Sequence, residues 1–87
     1  MNKEAYIRAL EIERDGDWDA AHRIIQEINT TEAAWIHAYL HRVEGDSGNA
    51  AYWYRRAGRP ECHSSLAEER QEIFDALKKG GHTTDPA

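Results

Sequence analysis

The chain predicts an all-α fold of five helices: two antiparallel helical hairpins and a fifth helix that caps them. Three observations carry this. Apolar residues recur at spacings of three and four along five segments. Between the segments stand residues that end helices, namely Gly16, Thr30-Thr31, Gly45 and Gly58-Arg59-Pro60. The turn Gly16-Asp17 also returns as Gly45-Asp46, twenty-nine residues later, and a recurring turn marks a repeated hairpin.

The first helix is predicted over Lys3–Arg14, with Asn2 as its cap and Ala5, Tyr6, Ala9, Leu10 and Ile12 as its apolar positions. Asp15-Gly16-Asp17 breaks it. Asp17 can cap a second helix over Trp18–Asn29, whose stripe is Trp18, Ala21, Ile24, Ile25 and Ile28. Thr31 is placed to cap a third over Glu32–Glu44, with Glu32 suited to the positive end of the helix dipole. This third helix is apolar on more than one side: Ile36, Leu40 and Val43 form one stripe, Trp35 and Tyr39 lie beside it, and Ala34 and Ala38 lie elsewhere. Such a helix belongs at the centre with neighbours around it. The fourth runs over Ser47–Ala57 and is closed by Gly58 and Pro60. Ser65-Leu66-Ala67-Glu68 reads as a capping box opening a fifth helix over Leu66–Lys79, with Leu66, Ile73, Phe74 and Leu77 as its stripe and Glu68 and Glu69 serving the dipole. Gly80-Gly81 should stop it. One domain over 1–79 and a disordered tail over 80–87 follow.

Eighty-seven residues allow one modest core. At 40% hydrophobic and 31% charged the composition is globular. A net charge of −5 argues against nucleic acid and against an anionic membrane surface as partners. The single cysteine, Cys62, excludes an internal disulfide and fits a reducing cytoplasm. No stretch is apolar over a membrane-spanning length, and Met1-Asn2-Lys3-Glu4 does not open a signal peptide.

Superimposing the two Gly-Asp turns aligns Ala9 with Ala38, Ala21 with Ala50, Ile25 with Tyr54 and Ile28 with Ala57. The same offset sets Ala67 on the small position of Ala9 and Ala38. The pattern Ala38, Gly45-Asp46, Ala50, Tyr54, Ala57 resembles the tetratricopeptide (TPR) and related Sel-type repeats, and Gly16-Asp17-Trp18 with Ala21 resembles it again. That resemblance implies a right-handed stack and a concave face on the first helices of the hairpins. The chain departs from the family in its short period, in His37 and His41 where Leu and Tyr are usual, and in Ser47, which lacks the aromatic. Ala34–Arg42 together with Tyr52–Pro60 is similar to a segment of small uncharacterised proteins.

Candidate chemistry is sparse. His37 and His41 lie four apart on one helical face, a spacing that can bind a metal; the competing reading is two partly buried, hydrogen-bonded histidines. Cys62-His63 is the one adjacent thiol–imidazole pair, on a loop where neighbours seldom face each other. Asp15, Asp17 and Asp19 suggest a calcium loop, but Ala20 and Gln26 stand where an EF-hand needs Gly and Glu. Arg55, Arg56 and Arg59 are a weak candidate for docking an anion, beside their role at a helix C-terminus. No catalytic constellation and no cofactor motif is visible.

The function expected from this is a non-enzymatic module that binds a protein or peptide, the alternative being a metal-binding or enzymatic protein using His37 and His41. If the TPR resemblance holds, the binding face comprises Tyr6, Leu10, Glu13, Trp35, Tyr39 and Arg42, unless Trp35 and Tyr39 pack under the first or fifth helix. The many aromatics also suggest a homodimer burying those the core cannot hold.

Overall fold

The computed structural model describes residues 2–83, with side chains for 2–79. It is all-α: α1 (Lys3–Arg14), α2 (Trp18–Gln26), α3 (Thr31–Glu44), α4 (Ser47–Ala57) and α5 (Leu66–Thr83). No helix among the described residues is long and apolar enough to cross a membrane.

The repeated turn is repeated in geometry. Gly16 and Gly45 both take a left-handed backbone, with φ of 101° and 86°, which an L side chain would strain. Each closes a Schellman motif: Gly16 N–H to Glu13 O and Asp17 N–H to Ile12 O, then Gly45 N–H to Arg42 O and Asp46 N–H to His41 O. Asp17 and Asp46 then turn their carboxylates onto the backbone N–H groups of Ala20 and Asn49 and start the next helices. The aligned small residues Ala9, Ala21, Ala38 and Ala50 are all buried. A methyl at each of these positions lets the paired helices approach closely, and α1 with α2 and α3 with α4 are the two most closely packed pairs.

Several boundaries differ from expectation. Asn2 precedes α1 without a side-chain capping bond. α2 ends at Gln26, because Glu27–Asn29 must reverse the chain into Thr30. Thr30, not Thr31, caps α3: its extended backbone aims Oγ1 at the Ala33 N–H, and its hydroxyl also bonds Tyr6 Oη. The capping box of α5 forms reciprocally between Ser65 and Glu68. α5 then continues through Gly80-Gly81 to Thr83. Glycine in a helix costs about 1 kcal/mol relative to alanine, which lowers propensity but is not by itself a stop. The remainder of the expected tail, 84–87, lies outside the described residues.

The fifth helix does not follow the repeat. Its backbone neighbours are α1 and α3 rather than α4, and Ala67 is exposed. It therefore lies across the first helices of both hairpins instead of extending the stack beyond α4. Its inward face is also shifted from the expected stripe: Glu69, Ile73 and Leu77 are buried, Phe74 is half-buried, and Leu66 is exposed.

Glu69 fixes that register. Its carboxylate, fully buried, accepts from Trp35 Nε1 (3.0 Å), Tyr54 Oη (2.6 Å) and Arg42 (2.7 Å). Arg42 also donates to Ser64 O at 2.5 Å, tying down the α4–α5 loop. Burial lowers the pKa of Arg42, but the bond and charge of Glu69 outweigh this and hold it above its ordinary value. Burial, reinforced by Glu69, pushes the Tyr54 phenol well above its usual range. A second bridge joins Tyr39 Oη to Glu13 at 2.7 Å, with Arg70 of α5 at 3.7 Å from the same carboxylate. The aromatics are thus housed: Tyr6, Trp35, Tyr39 and Tyr54 are buried, Trp18 and Trp53 half-buried, and Tyr52 exposed. Of these aromatics only Tyr52 is left exposed.

Candidate metal centre

The expected concave face is closed. Tyr6, Leu10, Trp35 and Tyr39 are buried in the core. Glu13 and Arg42 keep little side-chain exposure and are bound to Tyr39 and Glu69. The reason is the course of α5, which lies across α1 and α3. Trp35 and Tyr39 therefore pack rather than dock.

The three arginines do not form one anion site. Arg59 lies 3.5 Å over the Trp35 ring. Arg56 donates to Tyr52 Oη at 2.9 Å and sits 5.4 Å from the Trp53 ring. Arg55 is exposed. Cys62 Sγ lies 3.0 Å from Ser64 Oγ, and His63 is exposed on the loop.

His37 and His41 do gather a site, and α2 adds a third imidazole. Their i, i+4 spacing on α3 brings the two rings to 5.0 Å, nearly parallel. His22 approaches from α2: its Nε2 is 3.0 Å from His37 Nε2, and its ring is 5.5 Å from that of His41. One ring nitrogen from each of the three lies within 4.8 Å of the others. Tryptophans wall the cluster on two sides. Trp18 stacks on His22 at 4.8 Å, and Trp53 of α4 stacks on His37 at 3.8 Å. Trp18 is itself fixed by donating Nε1–H to Leu40 O at 2.6 Å.

His22 escapes a reading based on spacing within one helix. Its signal was Trp18, four residues earlier on the same face of α2; that this face meets α3 is a tertiary fact.

The electrostatics favour the neutral imidazole at His37 and at His22. Burial first, and then His22 and His41, lower His37 to about 4. His22 is also lowered, by burial and by His41, against the pull of Glu44 and Asp19. His41 Nδ1 bonds Glu44 Oε1 at 2.8 Å. A carboxylate on one nitrogen orients the ring and enriches the other as a ligand.

The sign of the pH dependence follows. A folded-state pKa below the usual 6.5 means that the unfolded chain takes up the proton first as pH falls. The contribution of His37 is therefore complete above about pH 6.5 and drains away as pH falls toward 4. Urea unfolding should show a loss of roughly 2 kcal/mol between about pH 7 and about pH 4.5 from this group. The His37→Gln variant should lose correspondingly less over that range; parallel slopes would mean that His37 is not held neutral.

Compared with protein-family models, curated proteins and solved structures, the chain matches none.

Proposed function

We propose that this protein binds a late first-row transition metal ion, Zn(II) foremost, through His22, His37 and His41. The observation that carries the proposal is the convergence of three imidazoles from two helices, each offering a nitrogen within 4.8 Å of the others. Imidazole suits Zn(II), Ni(II), Cu(II) and iron, whereas Mg(II) and Ca(II) want oxygen. Metal bonds of about 2.0–2.1 Å need the nitrogens roughly 3.3 Å apart. The His22–His37 pair is already at 3.0 Å, and one His41 nitrogen lies within 4.8 Å of both. Low proton affinity at His37 and His22 leaves little competition from protons near neutral pH. Glu44 supplies the outer carboxylate behind His41. Three protein ligands leave one coordination position open, the arrangement of catalytic rather than structural zinc sites.

Calorimetric titration of metal-free protein with Zn(II), and Co(II) absorption spectra, test this. One equivalent should bind, and an excess of about 100 times Kd should stabilise the fold by about 2.7 kcal/mol. His22→Ala and His41→Ala should each weaken binding by about 100-fold or more, beyond the cost of losing an outer-shell partner. Absence of saturable binding by Zn(II), Co(II), Ni(II) and Cu(II) would refute the proposal. So would full affinity in a folded His37→Ala variant.

A further inference from the structure

We infer that the cleft beside the three histidines takes a small organic carboxylate, held between Arg56 and His37 beside Trp53. The inference rests on the metal-binding reading for the state of His37, and on the cleft itself for the rest.

The cleft has a volume of about 270 Å³ and runs between the α2–α3 connection and α4. That is just below the range of drug-sized pockets, and suits a molecule the size of benzoate or an amino acid. Gln26, Asn29 and Thr31 give it amide and hydroxyl groups, Trp53 an aromatic wall, and Arg56 a cation. Among the described residues no acid lines it, although the chain carries a net charge of −5. The local preference is therefore for an anion with an apolar or aromatic body.

His37 joins the cleft to the histidine cluster. Its Nε2 faces His22. Its Nδ1 has no hydrogen-bond partner among the described residues, yet no buried side-chain nitrogen or oxygen among them is left unsatisfied. Nδ1 therefore keeps contact with solvent, and the cleft is the open space that His37 lines. With a metal on Nε2, Nδ1 carries the proton and donates. His41 has its carboxylate built in as Glu44; His37 has none among the described residues, and a ligand carboxylate would complete the same arrangement. Arg56 has no ion-pair partner among the described residues, so its charge is available to the second carboxylate oxygen.

The test is a titration of metal-free and Zn(II)-loaded protein with benzoate, and with benzamide as its neutral counterpart, followed by NMR. The signals read are the Trp53 indole N–H and the His37 ring nitrogens. Benzoate should shift both saturably. Benzamide, and benzoate against the Arg56→Gln variant, should each bind about tenfold more weakly or worse, since a charge-assisted bond is lost. Zn(II) should tighten benzoate by fixing the His37 tautomer. Arg56 is exposed, so its variant keeps the fold. Equal binding of benzamide, unchanged affinity in Arg56→Gln, or shifts that never saturate would overturn the inference. Benzoate binding without Zn(II) binding would uphold the cleft while removing the metal reading. Zn(II) binding without benzoate binding would remove the cleft alone.

Discussion

Glu69→Ala should cost about 3–5 kcal/mol, the usual penalty for removing one partner of a buried charge pair. A domain of this size holds about 4–13 kcal/mol at ordinary values per residue, so the variant should lose a third or more of its stability and melt well below the parent. The cost has three sources. Arg42 keeps a largely buried guanidinium with its nearest counter-charge gone. The Trp35 indole N–H and the Tyr54 hydroxyl lose their shared acceptor inside the core, and each orphaned group costs about 1–3 kcal/mol. Glu69→Gln should fall between parent and alanine variant, since an amide oxygen still accepts but cannot neutralise Arg42. Urea unfolding of both variants checks this, and a double cycle with Arg42→Gln isolates the ion pair. An alanine variant within about 1 kcal/mol of the parent would mean that Glu69 is not the bond that seats α5.

Truncation after Pro60 should have a comparable effect for a different reason. The missing helix brings Ile73 and Leu77 to the core, each contributing about 1.5–3 kcal/mol by burial, together with the partner of Trp35, Tyr54 and Arg42. It also covers α1 and α3, so its loss exposes apolar surface on both hairpins at once. The 1–60 fragment should give weak helical circular dichroism, no cooperative melt and a tendency to aggregate. A soluble fragment that melts cooperatively would show the two hairpins to be self-sufficient.

Local chemistry made most of the fold legible. Caps and turns are written within a few residues of where they act, so Asp17, Asp46, Gly16, Gly45 and the Ser65–Glu68 box located the helix ends to within a few positions. The recurring turn located the small contacts at Ala9, Ala21, Ala38 and Ala50, all buried. The face on which α5 settles was not legible. A glutamate in a first turn fits the helix dipole equally well when exposed, and the partners of Glu69 lie 34, 27 and 15 residues away. That single placement turned Trp35 and Tyr39 from surface into core. The candidate site was half legible: the spacing of His37 and His41 is local, whereas His22 joins them only once α2 docks on α3.

α3 is buried without interruption over nine residues, Ala33 to His41. A stretch walled in this way should not open alone, so the hydrogen-bonded amides of its central turns should exchange with solvent only when the domain unfolds. Its exchange rates therefore report the global stability directly. α2 is the shortest helix, at nine residues, with Ala21 and Ile25 buried, and short segments are among those that open at lower free energy. Two of the three histidines are thus mounted on the most deeply buried helix and the third on the shortest one. An ion shared among them would carry its stabilisation into α2, where slowed exchange would register occupancy more sensitively than any change in α3.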